Sequence, residues 1–65
     1  MQPNVKLLAA IREQGFRQKE FAKIVGDHPT LVSRVINGWV NLDKGRQLKY
    51  ARVLKRQPED LFGGG

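Results

Sequence analysis

The sequence predicts a single all-α domain of five short helices. Apolar residues recur three and four positions apart along most of the 65 residues, as they do on one face of an α-helix. No window shows the alternation of apolar and polar residues that is typical of a strand. Glycine, proline and good N-cap residues fall between the apolar windows, where helices end and begin. A chain of this length has room for one domain with a thin core.

The first two helices are separated by a glycine. Asn4 is a good N-cap, so the first helix is predicted from the next residue to about Gln14. Gly15 then suits the left-handed position that follows many helices. The second helix is predicted over about 18–25. Its apolar face comprises Phe21, Ala22, Ile24 and Val25, and its polar face comprises Lys19, Glu20 and Lys23.

A third helix is predicted from Pro29 to Gly38. Proline suits the first turn of a helix because its missing N–H would have no partner there. His28, just before it, is predicted as the N-cap, with base reading as its second role. The residues predicted to point inward are Leu31, Val32, Val35 and Ile36. Those predicted to point outward are Thr30, Ser33, Arg34 and Asn37.

The rest of the chain is predicted to form two more helices. Asp43 caps a fourth helix of about 44–56, and Pro58 opens a short last turn with acids at its positive end. The inward residues here are Leu48, Tyr50, Ala51, Leu54, Leu61 and Phe62. The domain therefore spans 1–62, and the glycines at 63–65 are expected to form a flexible tail.

The charge of the chain predicts a polyanion as its partner. Twelve Lys and Arg residues against six Asp and Glu residues give a net charge of +6. The range 44–56 alone holds six basic residues and no acidic one. Charge of this sign and uneven distribution is typical of a nucleic-acid-binding protein.

Other classes of function are expected to be absent. With no cysteine and one histidine, the chain predicts neither a disulfide nor a metal site. No carboxylate pair or nucleophile–base set stands out, so we expect no enzyme, no cofactor and no small-molecule substrate. No apolar run approaches the roughly 18 residues of a membrane span, and the N-terminus lacks a signal-peptide layout. These features predict a cytoplasmic protein without a membrane partner.

The second and third predicted helices form a helix-turn-helix pattern. A tight turn at Gly26 joins them, and Ala22 is small where the two helices would cross closely. The third helix has a polar outward face, and an α-helix has the right diameter to enter the major groove of DNA.

This segment resembles the Cro/repressor (XRE-type) helix-turn-helix family. The resemblance depends on residue types in an ungapped register. They are Gln18, Ala22, Gly26, Val32, Ser33, Arg34, Val35, Asn37 and Gly38. The range 50–62 is similar to the family's fourth and fifth helices, so the resemblance covers about residues 5–62.

The resemblance implies a compact, lambda-repressor-like five-helix domain. It also implies a sequence-specific DNA-binding transcriptional regulator of a bacterium or phage, of the repressor type, with helix 29–37 in the major groove. The expected partner is double-stranded DNA, bound by a weak homodimer that forms on symmetric half-sites. The residues implied to read bases are Thr30, Ser33, Arg34 and His28. The residues implied to bind phosphate are Gln18, Arg17, Asn37, Lys44 and Arg46.

Four residues depart from the family pattern. Pro29 stands where a base-reading glutamine is common, and Trp39 stands where Lys or Arg is common. Asp27 in the turn and Arg56 in the last connection each stand where an aliphatic residue is usual. We expect Trp39 to cover the core, with a dimer surface and a DNA contact as alternatives.

A protein-interaction module is the alternative function. The same fold would serve as an adaptor or antitoxin-like partner, with Trp39, Val40 and Leu42 as its docking surface. The outward residues of the third helix would then be an ordinary solvated face. We expect a solvated face in either case for the basic stripe of Lys49, Arg52 and Arg56.

Overall fold

Five α-helices account for most of the described chain, and the prediction of an all-α domain is confirmed. The computed structural model describes residues 3–63. The helices are α1 (Val5–Glu13), α2 (Gln18–Val25), α3 (Pro29–Ile36), α4 (Lys44–Leu54) and α5 (Pro58–Leu61), and residues 3–63 contain no strand. Residues 64 and 65 of the predicted glycine tail lie outside the described residues. Gly63 is described, and its backbone N–H donates to the Glu59 carbonyl at 3.1 Å.

Asn4 both caps α1 and ties it to the end of the domain. Its Oδ1 accepts a hydrogen bond from the Leu7 backbone N–H at 3.0 Å, and its Nδ2 donates to the Leu61 carbonyl at 2.7 Å. Its backbone N–H donates to the carbonyl of Ile36, the last residue of α3. One N-cap residue therefore joins the start of α1 to the ends of α3 and α5.

Gly15 takes the left-handed conformation after α1, as predicted, and glycines in the same conformation end α2 and α3. Gly26 has φ +80° and Gly38 has φ +79°. After each glycine, the next residue's N–H bonds five residues back. Asp27 N–H donates to the Ala22 carbonyl and Trp39 N–H to the Arg34 carbonyl, both at 2.9 Å. These bonds fix the direction in which the chain leaves each helix.

Helix α4 ends two residues earlier than its predicted end at residue 56. Lys55 takes the left-handed conformation at φ +57°, and the Arg56 N–H bonds the Ala51 carbonyl at 2.9 Å. The sequence has no glycine here, so the usual sign of a helix end is missing.

The core lies between all five helices. Its centre is the edge-to-face contact of Phe21 and Tyr50, whose ring centroids are 5.0 Å apart. Both side chains are fully buried, and so is Ala22. The other buried residues are Leu7, Ala10, Ile11, Val25, Val32, Val35, Ile36, Leu42, Ala51, Leu54 and Leu61.

Two residues predicted to point inward are exposed. Ile24 and Leu48 expose 52% and 53% of their surface. In each helix the buried residues form a narrow stripe: Phe21, Ala22 and Val25 in α2, and Tyr50, Ala51 and Leu54 in α4. Ile24 and Leu48 each lie about 110° from the centre of that stripe, at 3.6 residues per turn. Such short helices in a thin core bury only the stripe, so the edge positions stay in solvent.

None of the helices in residues 3–63 has the length and apolar character needed to cross a membrane.

Candidate functional site

The outward face of α3 is polar and carries one positive charge. Thr30, Arg34 and Asn37 are exposed, and Ser33 is half-buried. The Asn37 Nδ2 donates to the Ser33 Oγ at 3.4 Å, so these two side chains are hydrogen-bonded to each other. The structure thus brings together three of the predicted base-reading residues on α3 and one predicted phosphate ligand at its C-cap.

Within residues 3–63, the Arg34 guanidinium and the Thr30 hydroxyl make no hydrogen bond or ion pair to another residue. Thr30 and Arg34 are four residues apart and therefore neighbours on the helix surface. Their polar atoms point to solvent, where a ligand in contact with this face of α3 would meet them.

His28 caps α3, as predicted. Its Nδ1 accepts a hydrogen bond from the Thr30 backbone N–H at 3.1 Å, and Pro29 occupies the first helical position. The cap requires an unprotonated Nδ1, which leaves only the other ring nitrogen for an external partner. The predicted second role of His28 as a base reader therefore depends on Nε2 alone.

Arg17 and Gln18 lie at the start of α2 and are exposed. The Arg17 backbone N–H donates to Glu20 Oε1 at 3.0 Å, so a carboxylate already occupies part of this helix N-terminus. Both residues line a surface groove together with Arg12 of α1. The N-cap side chain accepts no hydrogen bond from the first turn of α2, so an anion at this end would meet backbone N–H groups as well as these side chains.

A polar junction joins the turn between α2 and α3 to α4. Asp27 Oδ1 forms an ion pair with Arg46 Nη1, and Asp27 Oδ2 accepts a hydrogen bond from the Tyr50 hydroxyl at 2.8 Å. Lys49 Nζ donates to the Val25 carbonyl at 3.4 Å. The α4 partners follow the i, i+3, i+4 spacing that puts side chains on one face of a helix. We call these contacts the Asp27 junction.

The Asp27 junction is buried on one side and open on the other. The Asp27 side chain is 7% exposed, whereas that of Arg46 is 47% exposed. Burial raises the pKa of the Tyr50 hydroxyl well above its ordinary value, and the hydrogen bond to Asp27 and its negative charge raise it further. The positive charge of Arg46 opposes this shift. Tyr50 is therefore a neutral donor to a carboxylate that also faces a cation.

The predicted phosphate ligands on α4 have different surroundings. Asp43 caps this helix through the Arg46 backbone N–H at 2.9 Å. Lys44, at the first helical position, is exposed, and its ammonium has no partner within residues 3–63. Arg46 is held by Asp27, a contact between residues 19 positions apart that was not predicted from the sequence.

The three residues of the predicted solvated basic stripe are all exposed, as expected, but two of them also have partners in the fold. Arg56 forms an ion pair with Glu13 of α1, and Lys49 belongs to the Asp27 junction. Arg52 is exposed, as expected. Two of the three cations therefore have partners elsewhere in the fold.

The prediction that Trp39 covers the core is wrong. Its side chain is 65% exposed, while Leu42 is 8% exposed and Val40 is half-buried against the core. Because Gly38 turns the chain at the end of α3, the residues after Trp39 cover the core and Trp39 itself points into solvent. Leu42 is therefore part of the core rather than of a docking surface.

Comparisons with protein-family models, curated proteins and solved structures found no match to this chain. Among residues 3–63, no three His, Cys, Asp or Glu side chains are grouped so that they could hold a metal ion.

Proposed function

We propose that the protein is a sequence-specific DNA-binding transcriptional regulator that inserts α3 into the major groove. The observation that carries the proposal is the outward face of α3, where Thr30 and Arg34 present polar atoms without partners in residues 3–63. The face has no acidic residue, and the chain carries a net charge of +6. A polar, cationic helix face of this kind suits the base edges and phosphates of DNA.

Base reading is assigned to α3. The planar guanidinium of Arg34 matches the O6 and N7 acceptors of guanine, and the hydroxyls of Thr30 and Ser33 can bond several bases. His28 would contribute Nε2 only. Pro29 has no N–H to donate, so its contact at this position is apolar.

Phosphate binding is assigned to residues at helix ends around α3. Phosphate contacts fix the orientation of a protein on DNA and carry no sequence information themselves. Lys44 and Arg46 lie in the first turn of α4, and the Asp27 junction joins that turn to the residues just before α3. The remaining assigned residues are Gln18, Arg17 and Asn37.

The working form is proposed to be a homodimer on a two-fold symmetric site. Two copies of α3 would then lie about 34–36 Å apart, one turn of the double helix. A chain of 65 residues with net charge +6 has little surface for a strong dimer without the neutralising DNA. Such a regulator acts in the cytoplasm, on the bacterial or phage genome.

Selection from a random pool of DNA duplexes tests this function. We expect a preferred, two-fold symmetric sequence to be enriched, and its affinity to fall steeply as salt concentration rises, because phosphate contacts release counterions. Arg34→Ala should reduce that enrichment, whereas Arg52→Ala, which removes the same charge from an exposed position on α4 with no assigned DNA contact, should retain it. An unenriched pool with salt-independent binding would contradict DNA binding.

The exposure of Trp39 favours a second candidate, a protein-interaction module. Tryptophan is enriched at the centres of protein interfaces, and this one is 65% exposed. The partner would dock on Trp39 and Val40, without Leu42. Measuring DNA affinity at several salt concentrations separates the two functions, because a protein-interaction module should show no steep salt dependence on DNA. The alternative also predicts that Trp39→Ala abolishes binding to the protein partner.

A further inference from the structure

We infer that Asp27 is a positioning residue that determines DNA specificity by holding Arg46 beside the start of α3. This inference rests on the proposed DNA-binding function. Asp27 lies outside the base-reading face of α3, and by holding Arg46 it restricts phosphate binding by that arginine to one orientation of the protein. The contacts of the Asp27 junction support it.

Asp27 cannot release Arg46 without a cost. Its carboxylate is 7% exposed, and within residues 3–63 its side-chain partners are Arg46 and the Tyr50 hydroxyl. If Arg46 swung away to follow a phosphate, the carboxylate would keep one neutral donor and face the DNA with its charge uncompensated. The arginine is therefore expected to stay on Asp27 when DNA binds.

Arg46 can still bind a phosphate from that position. A guanidinium has five N–H donors in a rigid planar fork, and Nη1 is the nitrogen that contacts Asp27. Nearly half of the side chain is exposed, at 47%. The guanidinium can thus bridge the carboxylate and a phosphate, provided that the phosphate lies in line with the remaining donors.

The bridge makes the Arg46 contact depend on how the protein sits on DNA. When α3 is fully docked on its site, we expect a phosphate to lie within reach of the free donors of the held guanidinium. On random DNA the protein binds in shifted orientations. An arginine fixed to Asp27 cannot reorient to contact a phosphate in those orientations, whereas the exposed Lys44 side chain can. Asp27 therefore weakens binding to random DNA more than binding to the correct site.

The first test measures the salt dependence of binding to a random-sequence duplex for Asp27→Asn. The asparagine keeps a carbonyl oxygen for the Tyr50 hydroxyl and removes the charge that holds Arg46. We expect the slope of log K against log salt to steepen by about 0.9, the contribution of one added phosphate contact. The matched control is Glu13→Gln, which removes the carboxylate of the ion pair with Arg56 and should leave the slope unchanged.

The second test uses Arg46→Gln and needs no change at Asp27. We expect it to flatten the slope by about 0.9 on the sequence recovered by selection and to leave the slope on the random duplex unchanged. In the double variant with Asp27→Asn, the steepening on random DNA should disappear. Circular dichroism of each variant confirms that the helices are retained.

The outcomes separate this inference from the proposed function. Equal slopes for Asp27→Asn and Glu13→Gln would overturn the inference while leaving DNA binding intact. Flattening of the random-duplex slope by Arg46→Gln would overturn it as well, because a held arginine should not contact random DNA. If the unaltered protein binds neither duplex, the proposed function fails and the inference fails with it.

Discussion

The Tyr50 hydroxyl donates a hydrogen bond to the Asp27 carboxylate at 2.8 Å, 23 residues away along the chain. Tyr50 is fully buried in the core, whereas Asp27 belongs to the turn that precedes α3. The contact therefore links the centre of the core to the helix that we propose reads DNA. A change in the charge of this pair should alter both the stability of the domain and the position of α3.

We predict that the contribution of Tyr50 to the free energy of unfolding falls in alkaline solution. The folded protein holds the pKa of Tyr50 above the value of the unfolded chain, near 10. Because the unfolded state then loses its proton first, the free energy of unfolding should fall as pH rises above about 10. The contribution is complete below that pH and is lost as pH approaches the folded pKa.

Tyr50→Phe isolates this effect. It should cost about 1 kcal/mol at neutral pH through the lost hydrogen bond, and this loss relative to the unaltered protein should shrink as pH rises above about 10. The measurement is urea unfolding of both proteins at each pH, and the lysines cancel in the difference. A difference that stays constant with pH would show that Tyr50 ionises equally in both states.

A second prediction concerns the cap of α3. His28→Ala removes the Nδ1 acceptor of the Thr30 N–H and should destabilise the protein by about 1 kcal/mol. His28→Asn supplies a side-chain oxygen at the same place and should recover most of that loss. Urea midpoints at pH 8 test both variants, and equal stability of all three proteins would mean that the cap contributes nothing.

The third prediction concerns the packing of α2 on α3. Val35→Ala should cost roughly 1–3 kcal/mol through the cavity that it leaves, because Val35 is 4% exposed. Ala22→Leu should cost a similar amount by overpacking a site that has no exposed surface. Ile24→Ala is the control, since Ile24 is 52% exposed and its loss should change stability little. Unchanged midpoints for the first two variants would contradict the burial of these two side chains in the core.

Local signals in the sequence predicted the helices well. The N-caps at Asn4 and Asp43 and the left-handed glycines at Gly26 and Gly38 depend on residues within a few positions, so their chemistry can be read without the fold. The end of α4 was missed because Lys55 takes a left-handed conformation that lysine rarely adopts.

Non-local features were harder to predict. Helical periodicity identified Ile24 and Leu48 as apolar but could not tell how wide the buried stripe of each helix is. The exposure of Trp39 depends on the path of the chain after α3. The Asp27–Arg46 pair joins separate elements, and its one signal was an acidic residue where the resembled family has an aliphatic one.

The last prediction distinguishes phosphate binding from base reading. Phosphates are the same at every base pair, so Lys44→Gln should weaken binding to the selected sequence and to random DNA alike. It should also flatten both salt slopes by about 0.9. Arg34→Gln removes the same charge from the outward face of α3, which also includes Thr30. It should reduce affinity for the selected sequence far more than for random DNA, because a base contact forms only at the right sequence.

Competition titrations of both variants on both duplexes at several salt concentrations give the comparison. The two substitutions change net charge equally, so any difference between them reflects where the charge is placed. A Lys44 variant that lost affinity only for the selected sequence, with an unchanged salt slope, would make Lys44 a base reader and contradict its assignment. If neither substitution changed DNA binding, the exposed Trp39 surface and the protein-interaction function would become the better account of this domain.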